Sequence, residues 1–191
     1  LIGKTGSGKS SLMKTLYATD ASVYRSLPTA VALPKSPSDI KKLIHFANSN
    51  NLSLIPRTAG TSLAGQCVGD GIVVDVSKYL NKIIEFNKDE GWVRVQPGVV
   101  RNELNNYLKE YGYFFSPITS TATRAMIGGM VGNNSCGTTS IVYGSTREHV
   151  LELKVLLSDG SEAVFKSMTE SDFELKCKQE NLEGELYRHV K

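Results

Sequence analysis

The sequence lacks the features that mark several large classes of protein. Its 191 residues include only three cysteines, and no CxxC pair or other metal-ligand spacing argues for a disulfide framework or a zinc site. No stretch approaches the roughly 18 consecutive apolar residues that a membrane span needs. The formal net charge is only +3, and the lysines are scattered. The sequence therefore predicts no metal site, no membrane span and no nucleic-acid partner.

The start of the sequence also lacks the marks of an exported protein. Leu1-Ile2-Gly3 has neither a basic start nor an apolar stretch followed by a small-residue cleavage site. Cysteines without an evident pairing are typical of a reducing compartment. The sequence therefore predicts a cytoplasmic location.

From Ala30 onward, hydrophobic residues recur alternately with the period of a strand and the period of a helix, which is typical of an α/β or α+β domain. Strands are predicted at 29–33, 52–56, 72–76, 83–86, 92–96, 150–157 and 163–165. Helices are predicted from Ser36 to about 48–51, at 100–111 and at 170–190. Residues 114–144 are rich in Ser, Thr, Gly and Asn and are predicted to form one long functional loop.

The most recognisable motif lies at the start of the chain. The run 3–10, GKTGSGKS, matches the nucleotide-binding P-loop, in which Lys9 would reach the outer phosphates and Ser10 would ligate magnesium. Residues 1–17 resemble the corresponding segment of ABC-type ATPases. The later motifs of that family are absent: there is no ABC signature motif and no late switch histidine, and Val76 stands where a catalytic Glu would follow the run 72–75. An ATP-binding ABC-type ATPase fragment is therefore the alternative hypothesis.

A second resemblance starts where the first one ends. The runs 17–25, YATDASVYR, and 28–34, PTAVALP, resemble the opening of FAD-linked oxidases, a family that includes glycolate, D-lactate and D-2-hydroxyglutarate dehydrogenases. The likeness continues to about Gly160, with several motifs in the family's order. It implies an α+β fold of the PCMH type (vanillyl-alcohol-oxidase-like), built from two small α/β lobes and truncated at its C-terminus.

The two resemblances divide the chain into four parts. Residues 1–16 are predicted to be a P-loop-like segment foreign to the fold. Residues 17–80 and 81–166 are the predicted first and second FAD-binding lobes, and 167–191 is the helical start of a missing continuation. The change of resemblance near Tyr17 favours the hypothesis that fragments of two unrelated genes are joined there.

The resemblance places the family's diphosphate-binding loop at residues 56–66. A Gly/Ser/Thr loop that leaves a buried strand can direct several backbone amides and hydroxyls at a diphosphate, although a plain tight turn has a similar composition. The predicted cofactor-binding residues of this first loop are Arg57, Thr58, Ala59, Gly60, Thr61, Ser62, Gly65 and Gln66.

This first loop departs from the commoner Arg-Gly-Gly-Gly-Thr form, because Thr58 and Ala59 replace two glycines. The most demanding backbone angles are therefore predicted at Gly60. In relatives that bind flavin covalently, a histidine commonly stands at the position of Thr61. Because no histidine lies in the loop, the sequence predicts a non-covalent FAD.

A second FAD-binding loop is predicted at residues 116–137, where hydroxyls and paired glycines can lie against a flavin and bond its ring edge. Ahead of it, the strand end at 97–98 resembles the family's segment beside the flavin, or is a simple strand terminator. The cofactor-binding residues predicted here are Pro97, Gly98, Pro117, Ser120, Thr121, Gly128, Gly129, Gly132, Asn133, Ser135 and Gly137. Arg124 is predicted to offset a phosphate charge or to form a surface salt bridge. Cys136 is predicted to be a small packing residue, and His149 a structural one at the start of a strand.

The complete pattern implies the FAD-binding portion of a dehydrogenase that oxidises a 2-hydroxy acid such as glycolate, lactate or 2-hydroxyglutarate. The three histidines, His45, His149 and His189, do not form a substrate-binding or proton-abstracting group by their spacing. The catalytic residues therefore stay unassigned, and turnover by this chain alone is not expected. A binding module that keeps the fold without a cofactor is a third hypothesis.

Overall fold

The computed structural model describes residues 8–191, with the backbone alone for residues 8–10. Its α-helices are α1 (Gly8–Leu16), α2 (Pro37–Ser49), α3 (Arg101–Lys109), α4 (Ile127–Gly132), α5 (Ser140–Tyr143), α6 (Glu170–Cys177) and α7 (Leu182–Val190), with a 3-10 turn at Thr146–His149. Its strands are β1 (Ala30–Ala32), β2 (Leu54–Arg57), β3 (Ile72–Asp75), β4 (Ile83–Asn87), β5 (Trp92–Val95), β6 (Glu152–Leu156) and β7 (Glu162–Lys166). All seven predicted strands are confirmed, with ends that differ by at most two residues.

The first half of the chain is built on a parallel sheet with the strand order β1-β3-β2. The central strand β3 is buried at all four positions, as its unbroken apolar run requires, because a parallel sheet is covered on both faces. Helix α2 covers one part of this core, with Ile40 and Leu43 packed against a cluster that includes Ile72 and Val74.

Helix α2 begins and ends where its sequence predicts. The Ser36 side chain accepts a hydrogen bond from the Asp39 amide (3.2 Å), and Pro37 occupies the first turn, where its missing N–H is not needed. Asn51, just beyond the helix, has a left-handed φ of 51°, a conformation that asparagine tolerates.

The antiparallel hairpin β4-β5 and helix α3 form a second core. Val99, Leu104 and Leu108 are its buried members. Phe86 on β4 lies at the centre of an aromatic group, 5.0 Å from the Tyr111 ring and 5.6 Å from the Tyr113 ring, centroid to centroid. Such tilted and edge-on pairs are the arrangements that aromatic rings prefer.

The antiparallel hairpin β6-β7 connects the two cores. Arg94 on β5 forms an ion pair with Glu152 on β6 (2.7 Å). At the other end of the hairpin, Asn48 Nδ2 at the end of α2 donates to the Ser158 carbonyl (2.8 Å). The hairpin is thus held by both halves of the chain.

Two predicted segments are organised differently from expectation. The prediction of one unbroken loop at 114–144 is wrong, because α4 and α5 lie within it; Met130 of α4 is buried and anchors that helix. The single helix predicted at 170–190 is two helices. The Asn181 side chain accepts a hydrogen bond from the Gly184 amide (2.9 Å) and so begins α7 separately.

Most of the predicted P-loop lies outside the described residues, because the structure describes only residues 8–10 of that run, as the backbone start of α1. Further along α1, Leu12 and Leu16 are both exposed. The nucleotide-binding role of Lys9 and Ser10 stays a prediction, as do the four domain boundaries. No helix within residues 8–191 has the length and apolarity that crossing a bilayer requires.

Candidate cofactor site

The first loop leaves the carboxyl end of β2 and turns sharply at two glycines. Gly60 has a φ of 65° and Gly65 a φ of 71°, a region that residues with a side chain rarely adopt. The prediction that Gly60 takes the most demanding backbone angles of the Arg57–Gly60 run is confirmed.

Three consecutive backbone amides near Gly60 are not used in the hydrogen bonds of the described fold. Within the described part of the chain, no hydrogen bond is found from the amides of Ala59, Gly60 or Thr61. Consecutive amides around a left-handed residue form a concavity that binds anions. Ser62 holds the second part of the loop together. Its Oγ accepts a hydrogen bond from the Gln66 amide (3.2 Å) and donates one to Gln66 Oε1 (2.6 Å).

The structure brings the two predicted loops together. Gln66 Nε2 donates a hydrogen bond to Asn133 Oδ1 (2.8 Å), across 67 positions of the sequence. Beside this bond, a Cβ added to Gly129 would lie 2.6 Å from Thr58 Oγ1. Gly129 therefore permits α4 to approach the first loop closely, and a larger residue there would displace the Thr58 hydroxyl.

Pro97 and Gly98 lie between the first sheet and the second loop. The Gly128 amide donates to the Pro97 carbonyl (2.8 Å), and the Gly98 amide donates to the Leu80 carbonyl (2.7 Å). A Cβ on Gly98 would meet the Leu80 and Val76 carbonyls at 2.7 and 2.9 Å. Close backbone packing thus explains the glycine at 98, and contact of Pro97 or Gly98 with FAD stays a prediction.

The second loop holds a buried hydroxyl that sequence reasoning did not single out. Thr119 Oγ1 is buried and has no hydrogen-bond partner among residues 8–191. Leaving such a group unsatisfied costs about 1–3 kcal/mol, so a ligand that offers an acceptor or a donor here fits the site. The only sequence signal for Thr119 is its place between Pro117 and Ser120, both of which were predicted.

The remaining predicted residues of the second loop occupy different environments. Pro117 is fully buried, and its carbonyl accepts from Arg101 Nε (3.0 Å). Ser120 is exposed, and a Cβ on Gly132 would meet open space. A Cβ on Gly137 would collide with the Ile118 carbonyl, so this glycine lets the two ends of the loop pack against each other.

Contacts with the cofactor are also predicted for three further positions of the loop. The Ser135 carbonyl accepts a hydrogen bond from the Thr146 hydroxyl (2.6 Å), and the Thr121 carbonyl accepts one from the Ala125 amide (2.7 Å). The first contact joins the loop to the 3-10 turn at Thr146–His149, and the second folds the loop on itself. Arg124 is exposed, and its predicted contact with a phosphate stays untested.

Two residues near the site differ from expectation. Cys136 is exposed, so its prediction as a packing residue is wrong; the close approach is made by Gly137 next to it. His149 ends the 3-10 turn rather than starting a strand. Its Nε2 lies 2.9 Å from Ser116 Oγ and 2.8 Å from the Tyr143 carbonyl, which agrees with the predicted structural role.

The start of the 3-10 turn at Thr146–His149 is capped by Glu148. Its carboxylate accepts from the amide and from the hydroxyl of Ser145, both at 2.6 Å. These bonds, to the side chain first and the backbone second, lower the pKa of Glu148 to about 2. Stability from this contact is complete above the ordinary glutamate pKa and is lost as the pH falls towards about 2.

Glu148→Gln is therefore expected to flatten the stability profile in acid. The free-energy difference of unfolding between the native protein and the variant should shrink as the pH falls from about 5 to about 2. Urea titrations at several pH values measure it. Glu180→Gln, at another exposed glutamate, is the control, and a difference that stays constant with pH would refute the assignment.

Sequence comparison assigns the chain to a family. Residues 28–165 match the model of the FAD binding domain family. The chain belongs to this family. It is 43% identical over 162 residues to D-2-hydroxyglutarate dehydrogenase of Escherichia coli (strain K12), covering 83% of this chain and 16% of that protein. It is 38% identical over 192 residues to D-2-hydroxyglutarate dehydrogenase of Pantoea ananatis (strain AJ13355), covering 98% of this chain and 19% of that protein.

The same fold is found among solved structures. The carbohydrate oxidase from Microdochium nivale, solved in complex with a substrate analogue, superposes with a TM-score of 0.74 at 21% identity, over 91% of this chain and 36% of that one. The predicted PCMH-type α+β fold is thereby confirmed.

The chain spans less than a fifth of the length of the two dehydrogenases named above.

Proposed function

We propose that this chain binds FAD non-covalently between its two loops and forms the cofactor-binding part of a dehydrogenase that acts on a small 2-hydroxy acid. When bound, FAD supplies the acceptor for the hydride that such a substrate loses. The substrate class rests on the D-2-hydroxyglutarate dehydrogenases to which the chain is similar.

The observation that carries this proposal is the meeting of the two loops. The Gln66–Asn133 hydrogen bond and the close approach of Thr58 to Gly129 bring their polar groups side by side. The donors around them are backbone amides and hydroxyls, and the predicted contact residues include no carboxylate. A donor-rich set without an anionic group fits a diphosphate anion.

Within this proposal, each loop has its own task. The amides of Ala59, Gly60 and Thr61 would hold the diphosphate. The second loop, whose Thr119 hydroxyl has no partner among the described residues and whose Gly132 has an open side, would lie along the flavin. The residues that bind and deprotonate the hydroxy acid are not assigned to this chain.

Titration of the purified protein with FAD tests the proposal. Flavin fluorescence is expected to be quenched up to one equivalent of FAD, and acid precipitation of the protein should release all of the flavin, because no covalent bond holds it. Riboflavin, which lacks the diphosphate, should bind far more weakly. Equal affinity for riboflavin would contradict the assignment of the first loop.

The ATPase alternative gives a different result in the same experiment. A protein that binds ATP with magnesium, loses ATP on Lys9→Ala and does not bind FAD would refute the proposed function. We expect Lys9→Ala to leave FAD affinity unchanged, because Lys9 lies outside both FAD-binding loops.

A further inference from the structure

A short segment ahead of the family match lies against the first FAD loop. The segment Tyr17–Ser26 precedes residue 28, where the match to the family begins. It is closed on itself by a bridge between Thr19 and Arg25. Its Ala21 amide donates to the Ser62 carbonyl (3.1 Å), so it contacts the middle of the loop directly.

A second contact of the Tyr17–Ser26 segment meets the loop at its other glycine turn. A Cβ added to Gly65 would lie 2.8 Å from Cδ2 of Tyr24, so the Tyr24 ring packs against this turn. Cys67 Sγ, just past the loop, lies 3.8 Å from Asp20 Oδ2. The segment therefore lies along the loop from Ser62 to Cys67.

The guanidinium of Arg57 fills the space between the Tyr17–Ser26 segment and Gly60. Arg57 Nη1 donates to the Thr19 carbonyl (2.7 Å), and the guanidinium carbon lies 5.3 Å from the centroid of the Tyr17 ring, within the range of a cation–π contact. A Cβ on Gly60 would collide with this guanidinium. The Arg57 side chain thus packs against the left-handed turn of the loop at Gly60.

Tyr17 is itself fixed by a buried carboxylate. Its hydroxyl donates to Asp75 Oδ2 (2.5 Å), and Asp75 is 6% exposed. Asp75 ends β3 and is the register partner of Arg57 at the end of β2. Burial first, and then the hydrogen bond to Asp75, raises the pKa of Tyr17, so the hydroxyl keeps its proton and continues to donate.

We infer that the Tyr17–Ser26 segment is a positioning element of the FAD site and that Tyr17 anchors it. Asp75 holds Tyr17, Tyr17 and Thr19 hold Arg57, and Arg57 holds the Gly60 turn. The amides of the loop are therefore set before the cofactor binds, and the ordering cost of binding falls. This inference rests on the proposed function, because it assigns a role towards FAD.

Tyr17→Phe tests it with the smallest change. The variant keeps the ring beside Arg57 and removes only the hydroxyl that donates to Asp75. We expect the Kd for FAD, measured by flavin fluorescence, to rise about tenfold. Tyr113→Phe is the matched control, because it also removes one hydroxyl hydrogen bond, to the Lys88 carbonyl (2.8 Å), but lies in the aromatic group around Phe86. Its Kd should change less than twofold.

A double-mutant cycle tests whether Tyr17 acts through Arg57. If it does, Tyr17→Phe combined with Arg57→Lys binds FAD no more weakly than Arg57→Lys alone. Multiplying losses would overturn the inference, as would a Tyr17→Phe Kd within twofold of the native value. A native protein that does not bind FAD would instead refute the proposed function, and the inference with it.

Tyr24→Ala keeps the test valid if Tyr17→Phe does not fold. Tyr24 is 59% exposed, so its truncation removes the contact with Gly65 without opening a core. We expect FAD affinity to fall at least threefold while the urea midpoint of the protein without FAD is retained. Unchanged affinity in this variant would overturn the positioning role of the segment.

Discussion

Gly60→Ala is expected to weaken FAD binding by about 100-fold, which corresponds to about 2.7 kcal/mol. The left-handed φ of 65° at Gly60 costs a residue with a side chain about 1–2 kcal/mol. The new methyl group would also collide with the Arg57 guanidinium and displace it. Displacing the guanidinium removes the support that sets the loop amides before FAD binds, so the variant must pay an ordering cost on binding. Flavin fluorescence titration measures the loss.

Gly112→Ala is the matched control for this prediction. Gly112 also has a left-handed φ, of 79°, but a Cβ there would meet no atom of the described residues within 4 Å. The two variants therefore share the backbone cost and differ in their contact with the loop. FAD affinity in Gly112→Ala should stay within about twofold of the native value. Equal losses in both variants would show that the Gly60 turn has no special role towards FAD.

Leu104→Ala is expected to destabilise the protein by about 3 kcal/mol. Leu104 is 1% exposed and packs with Val99 and Leu108 in the second core, so truncation leaves a cavity. Because small domains are stable by only about 5–15 kcal/mol, this is a large share of the total. A lower urea midpoint with an unchanged slope would confirm it.

The same truncation at an exposed leucine separates burial from helix propensity. Leu175 lies in helix α6 and is 62% exposed. Leu175→Ala is expected to change the free energy of unfolding by less than about 0.5 kcal/mol. A similar loss in both variants would contradict the placement of Leu104 in a core.

Elements with strong local signals were predicted well from the sequence. The apolar run of β3 identified a strand buried on both faces, and Ser36 followed by Pro37 located the start of α2. The end of α6 was missed, because the capping of α7 by Asn181 was hidden in a continuous polar pattern. The strand order β1-β3-β2 is a long-range property that no local period contains.

The site was predicted in part for the same reason. The strain at Gly60 followed from the two residues that replace glycines before it, which is local information. Arg57 was predicted as a cofactor contact, but its bond to Thr19 spans 38 positions and has no local signal. Thr119 was missed because burial of a single hydroxyl is decided by the packing of the whole loop.

The bond between Gln66 and Asn133 also has a consequence for the order in which the protein folds. A contact of such large sequence separation closes a long loop, and the entropic cost of that closure must be compensated by the contacts it brings. A growing chain that has reached Asp75 can pair its three parallel strands but has no partner for Gln66. The capacity to retain FAD should therefore arise late in synthesis, after the parallel sheet is in place.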